Sequence, residues 1–165
     1  MPRLTEYKDM SSRAKTVVGM NLAKIVNDTA FEPLKPKEDQ IWLGVGVASI
    51  LASKYAAMIT GDTREQLVGA LIFEHPQNPL KMSAIDLLHP NDLKSMRPEV
   101  LGVYLDTVRR KSCRAVQYLI QEGGGDSAIP KAVAVMRDKK PADGAALVAG
   151  IKDATKVDLT PALVR

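Results

Sequence analysis

The stretch RRKSCR, at positions 109–114, contains the residues of this sequence whose types most directly suggest a chemistry. Guanidinium and ammonium groups bind phosphate oxygens, and each phosphate that they neutralise releases counterions, which makes such binding depend on salt. The flanking stretches LGVYLDTV and AVQYLIQ predict one continuous helix through the cluster. The cluster therefore suggests a surface that binds an anionic polymer, and an ordinary solvated helix face is the alternative interpretation.

The position of each residue around this helix decides which of the basic side chains can reach a partner. Spacings of four and three predict one narrow packing stripe, which consists of Leu101, Leu105, Val108, Ser112, Ala115 and Leu119. At 100° per residue the opposite side carries Arg110, Arg114, Gln117 and Gln121. Arg109 and Lys111 flank the stripe. We therefore expect Arg110 and Arg114, helped by Arg109 and Lys111, to contact phosphates.

Acidic residues near the cluster compensate only part of its charge. Asp106 lies four residues before Arg110 and can pair with it, whereas no acidic residue lies three or four positions from Arg114. Residues 93–114 contain six basic and two acidic residues, and the net charge of the whole chain is +4. The excess positive charge of the chain is thus concentrated in this region.

A second basic segment lies near the N-terminus, in a predicted first helix that Ser11 or Ser12 can cap. Its basic residues include Arg13, Lys15 and Lys24, which we predict as further nucleic-acid contacts. Pro33 and Pro36 then prevent the helix from continuing. These features predict a helical arm over 1–32, a proline bend over 33–37 and a helical bundle domain over 38–165.

Helical signals dominate the rest of the chain, and no convincing alternating strand occurs. We expect helices at 38–60, at 63–74 with Asp62 and Glu65 as a capping box, near 83–88, from Pro98 to Gln121, at 128–139 and at 142–155. The glycines at 123–125 should end the long helix, and Asp126 or Ser127 should cap the next. The fold class is therefore all-α, a compact bundle of about five to six helices with an N-terminal arm.

Other motifs in the sequence suggest site chemistry less specifically. GVGVAS at 44–49 lacks a preceding strand and a third glycine, so its small residues indicate close helix packing instead of a cofactor loop. His75 and His89 lack the spacing of a metal site, and Cys113, with cations beside it, has no histidine nearby. We expect no cofactor, no metal and no catalytic residue.

The composition limits the location and the class of the protein. The longest apolar stretch, residues 41–53, is too short to span a membrane. A single cysteine cannot form an intrachain disulfide, and the N-terminal residues resemble neither a signal peptide nor a transit peptide. We therefore expect a cytoplasmic location for a chain made in the cell, without a membrane span or a secretion signal.

These features predict a non-enzymatic structural protein that coats or packages DNA or RNA through backbone contacts and self-assembles. The low aromatic content of 4% disfavours base stacking. In its layout of an arm and a bundle, the chain resembles helical virus coat or nucleocapsid subunits, including those of filamentous archaeal viruses. The resemblance implies a virion in which many copies touch through apolar faces of the arm and the bundle.

Two alternative functions fit the same sequence. The chain can be a helical adaptor, or a small subunit of a larger protein or ribonucleoprotein complex, in which case the arm would dock into a groove of another chain. It can also be a small enzyme that uses His75 or His89 in the loop-rich middle of the sequence. Binding to nucleic acid should weaken steeply with salt, whereas apolar docking should barely respond.

Overall fold

The computed structural model describes residues 12–60, 63–73 and 77–164, and every regular element in these ranges is a helix. The α-helices are α1 (Ser12–Ala30), α2 (Ile41–Thr60), α3 (Arg64–Ile72), α4 (Pro98–Glu122), α5 (Ala128–Ala134), α6 (Gly144–Thr155) and α7 (Thr160–Leu163). A π-helical turn, Val135–Lys139, extends α5. The predicted all-α bundle is confirmed. No helix in these ranges is long and apolar enough to cross a membrane.

Helix α2 lies at the centre of the bundle and packs against α1, α3 and α4. Its glycines permit this because neighbouring helices approach the backbone closely. A Cβ atom added at Gly46 would lie 2.5 Å from the carbonyl oxygen of Ser112 and 2.6 Å from Val116 Cγ2, both on α4. A Cβ atom at Gly44 would lie 3.0 Å from side-chain atoms of Asn27 and Phe31. The interpretation of GVGVAS as a close-packing segment is confirmed.

Helix α1 packs along α2, and the chain then turns where the prolines predict a turn. Phe31, just after α1, is almost fully buried in the core. Pro33 lies in a 3-10 turn, Glu32–Leu34, and Lys35 follows with a left-handed φ of 50°. The α-helix therefore ends before Pro33, while the division of the chain into a separate arm and bundle domain stays a prediction.

The segment between the bend and α2 fastens the start of α2 to the start of α6. Gln40 Nε2 donates to the carbonyl oxygen of Pro141 at 2.9 Å, and Asp39 Oδ2 accepts from the amide of Gly144 at 2.5 Å. Asp143 caps α6 by accepting from the amide of Ala146 at 2.8 Å. The bonds from Gly144 and Ala146 satisfy amides that the N-terminus of α6 leaves without intrahelical partners.

Helix α4 begins and ends as the sequence predicts. Pro98 occupies its first turn, and the amide of Gly123 donates to the carbonyl of Leu119 at its end. Gly124 and Gly125 have φ angles of 82° and 91°, which residues with a side chain rarely adopt. The glycine run therefore supplies the backbone conformation that reverses the chain towards α5.

The cap of α3 lies one residue later than predicted. The expected capping box was Asp62 with Glu65, but the helix starts at Arg64 and Thr63 is its cap. The amide of Gln66 donates to Thr63 Oγ1 at 3.2 Å, and the amide of Thr63 donates to Gln66 Oε1 at 2.9 Å. The capping-box spacing occurs twice in this stretch, as Asp62 with Glu65 and as Thr63 with Gln66. The second pair caps the helix.

Two further local predictions were wrong, and one short helix was missed. The helix expected near 83–88 is only a single 3-10 turn, Met82–Ala84. Ser127 precedes α5 but makes no side-chain capping bond. The sequence analysis also missed α7, whose Leu163 is buried together with Leu159 just before it. A four-residue helix is too short to produce a periodic signal.

The packing stripe predicted on α4 is correct only in its C-terminal half. Ser112, Ala115 and Leu119 are fully buried, but Leu105 is 45% exposed. In the N-terminal half a different side of the helix, that of Tyr104 and its neighbours, is buried instead. The reason is that the C-terminal segment and the turn at residues 82–84 also pack on α4, from a direction that local spacing does not reveal.

We predict that Gly46→Ala destabilises the protein by about 1–3 kcal/mol, because the added methyl group would contact the backbone of α4. Gly69→Ala is the matched control, since Gly69 is exposed in α3 and nothing lies within 4 Å of its Cβ position. That change should stabilise the protein by up to about 1 kcal/mol. Urea denaturation measures both, and equal effects would contradict a close approach at Gly46.

A candidate nucleic-acid interface on helix α4

Asp106 holds two of the predicted arginines in place. Its Oδ2 accepts from Arg110 Nε at 2.6 Å, as the four-residue spacing predicts. Its Oδ1 accepts from a terminal nitrogen of Arg109 at 2.7 Å, a pair that the three-residue spacing allows but the sequence analysis did not predict. One carboxylate thus pairs with two guanidinium groups.

The ionisation of Asp106 follows from this arrangement. Partial burial favours its neutral form, but the hydrogen bonds and positive charges of Arg109 and Arg110 outweigh burial and hold the pKa of the carboxyl below its ordinary value. Asp106 therefore stays ionised at neutral pH and keeps both arginines oriented.

Arg110 also joins α4 to the end of α3. One terminal nitrogen donates to the carbonyl oxygen of Phe73 at 2.8 Å. Held by these contacts, the side chain of Arg110 is only 25% exposed, and that of Arg109 is 29% exposed. Both guanidinium groups therefore lie at the surface in defined orientations, which lowers the entropy that a further contact would cost.

Arg114 is the most accessible of the three arginines. It is exposed, and no acidic group within the described ranges pairs with it, as its sequence spacing predicts. It lies one helical turn after Arg110 on the same side of α4. Gln121 on this side is exposed, but Gln117 is half-buried. The predicted row of four polar side chains is therefore interrupted at Gln117.

The prediction that Lys111 helps to contact phosphates is wrong. Its side chain is buried, with 5% of the residue exposed, and its ammonium group donates to the carbonyl oxygens of Ile85 and Val164, the latter at 2.7 Å. Lys111 therefore fastens the loop at residue 85 and the C-terminal segment to α4. Sequence spacing placed it beside the packing stripe and could not show that distant segments cover it.

The basic residues of α1 contribute less free charge than predicted. Lys24 is exposed, but its ammonium group pairs with Asp28 at 2.5 Å, one turn later. This hydrogen bond and ion pair raise the pKa of Lys24, so the lysine stays charged but compensated. Arg13 and Lys15 lie in the first turns of α1, and their side chains fall outside the described part of the structure.

A cavity of about 450 Å³ lies between the end of α1, the bend and the start of α2. Its lining includes two lysines, Lys24 and Lys35, and two acidic residues, Asp28 and Glu32. Because these charges balance, the cavity has no preference for an anion. It does not form part of the basic surface on α4.

Among the described residues, the two considered for catalysis or metal binding, Cys113 and His89, lie in different environments. Cys113 is fully buried, and burial raises the pKa of its thiol although a hydrogen bond with Ser49 opposes this. His89 is exposed, and its Nδ1 lies 3.2 Å from Asp86. Asp86 also accepts from two amides of its own loop, so it shapes that loop. His75 lies outside the described residues.

In the described ranges, no group of three histidine, cysteine or acidic residues is placed to hold a metal ion. The site that the structure assembles consists of Arg109, Arg110 and Arg114 with Asp106, and we call it the arginine face. A comparison with known protein families, curated proteins and solved structures finds no match for this chain.

Proposed function

We propose that this chain is a non-enzymatic structural protein that binds the phosphate backbone of DNA or RNA through the arginine face and coats or packages it by self-assembly. The observation that carries the proposal is the exposed, uncompensated guanidinium group of Arg114 beside the oriented side chain of Arg110. Three arginines and one aspartate give this surface a charge of +2, half of the net charge of +4. Such a role places the protein in a virion or in the cytoplasm.

The geometry favours backbone contacts over base readout. Guanidinium groups donate to phosphate oxygens in a fork, and groups that are already oriented lose less entropy on binding. Phe73 is an exposed aromatic residue next to this surface. Its contact with the arginine face is the hydrogen bond that its backbone carbonyl oxygen accepts from Arg110. We therefore expect binding that depends little on sequence.

A second candidate function, a helical adaptor, is supported by apolar side chains on the outside of the bundle. Leu93, Val100 and Leu105 are each more than 40% exposed near the start of α4. Large apolar side chains that are exposed in one region of a surface often mark a protein interface. Salt separates the two functions, because apolar docking should persist at ionic strengths that release nucleic acid.

We predict that Arg114→Gln weakens binding to a labelled duplex. Each lost phosphate contact should reduce the slope of log K against log salt concentration by about 1. Because Arg114 is exposed, thermal stability should not change. Fluorescence anisotropy over a salt series measures the slope.

Arg137→Gln is the matched control for this prediction. Arg137 is also exposed, but it pairs with Asp138 at 2.7 Å and lies after α5, outside the arginine face. Its substitution should leave the slope within error of the unsubstituted protein. If both changes reduce the slope equally, binding is a property of overall charge and the arginine face has no special role.

We predict that Asp106→Asn has the opposite effect and strengthens binding at low salt. Removing the carboxylate raises the charge of the arginine face from +2 to +3, since one acidic group no longer offsets the three arginines. The salt slope should become steeper by up to about 1. An unchanged or weaker affinity would mean that the orientation of Arg109 and Arg110 matters more than their charge.

The same variant should be less stable than the unsubstituted protein at pH 7, and the difference should depend on pH. The pKa of Asp106 in the folded protein lies below its ordinary 3.8, so its ionised form stabilises the fold above that pH. This contribution is lost as the pH falls through the lowered pKa. Urea denaturation between pH 7 and pH 2 should therefore show the two proteins converging in acid.

A further inference from the structure

The N-terminal half of α4 has an apolar face that the described part of the bundle covers only in part, through the packing of Val108 against the core. We call the side formed by Leu101, Gly102, Leu105 and Val108 the open face. Its leucines and Val108 continue the spacing of Ser112, Ala115 and Leu119, which are fully buried. Leu105 is 45% exposed, Gly102 is exposed, and Leu101 and Val108 are half-buried. The side of α4 that is buried in its C-terminal half is therefore partly exposed to solvent in its N-terminal half.

Gly102 is the least expected residue of this face. Glycine in the middle of a helix destabilises it relative to alanine. Among the other helical glycines, Gly46 and Gly150 pack closely, since an added Cβ would lie 2.5 Å and 2.6 Å from a neighbour, whereas Gly19 and Gly69 have nothing within 4 Å. At Gly102 nothing in the described structure lies within 4 Å of the Cβ position. Close approach from outside the chain would account for a glycine here.

Two charged residues of opposite sign lie beside the open face. Glu99 is exposed and pairs with no basic side chain in the described ranges. Arg109 shares its one acidic partner, Asp106, with Arg110. Glu99 and Arg109 lie ten residues apart, about 15 Å along the axis, and towards the same edge of the face. A second α4 running antiparallel would place each Glu99 near the other copy's Arg109.

We propose that the open face binds the open face of a second copy of this chain, with the two α4 helices antiparallel about a two-fold axis midway along α4 between Glu99 and Arg109. In such a two-fold pairing both copies contribute the same surface to the interface. The absence of a side chain at Gly102 lets the two helices approach closely. The charges select a second copy over another apolar helix because the same surface supplies both Glu99 and Arg109. The inference rests on the self-assembly part of the proposed function.

The test uses the full chain without nucleic acid, so its outcome is separate from that of the binding experiments. Because the face is small, we expect a dissociation constant between about 1 μM and 1 mM. Sedimentation velocity over this range should show the mass rise from 17.9 kDa towards twice that value. A chain that remains a monomer up to the highest concentration overturns the proposal.

Charge reversal tests the two-fold geometry. Glu99→Arg and Arg109→Glu should each abolish self-association, because each places like charges opposite one another. An equimolar mixture of the two variants should dimerise, since every facing pair is then opposite in sign. Glu122→Arg, an exposed acidic position at the end of α4 and away from the open face, is the control and should associate like the unsubstituted chain.

Leu105→Lys provides an independent variant if Arg109→Glu lowers the helical circular dichroism signal. It leaves the Asp106–Arg109 pair in place and should keep the chain monomeric. Association that survives both Leu105→Lys and Glu99→Arg, or single charge reversals that fail to dimerise when mixed, would show that the copies do not meet through the open face.

Discussion

The crossing of α2 and α4 at Gly46 is the contact on which the arrangement of the other helices depends. The carbonyl oxygen of Ser112 occupies the space that a side chain at Gly46 would need. Because the two helices lie so close at Gly46, their neighbouring turns are also in contact. Cys113 on α4 thus forms a hydrogen bond with Ser49 on α2. The crossing therefore buries the C-terminal half of α4 on one side and turns Arg114 towards solvent on the other.

Most of the polar side chains that this packing buries are satisfied within the fold, whereas Trp42 Nε1 and Gln117 Oε1 have no hydrogen-bond partner among the described residues. Ser112 Oγ and Thr107 Oγ1 each donate to a carbonyl oxygen one turn earlier in α4, at 2.8 Å and 2.7 Å. The ammonium group of Lys111 donates to carbonyls of two distant segments. Since unsatisfied buried groups are costly, these bonds let α4 present basic residues outside while polar residues lie within the core.

Local spacing predicted the helices well and the surface of α4 only in part. The limits of α4, the small residues of α2 and the Asp106–Arg110 pair all follow from neighbours within four positions. Lys111 and Leu105 were placed wrongly because their burial is decided by α7 and by the turn at residues 82–84. Those segments are short, irregular and distant in sequence, so no periodic pattern connects them with α4.

The measurement that most directly tests the account is the binding of the unsubstituted chain to a labelled duplex as salt increases. If two or three arginines contact phosphates, log K should fall linearly with log salt concentration, with a slope of about −2 to −3. Protein purified without high salt should then carry nucleic acid, visible as a raised ratio of absorbance at 260 nm to that at 280 nm. An absence of binding at low salt, or an affinity that does not change with salt, would contradict the proposal that the arginine face binds phosphates.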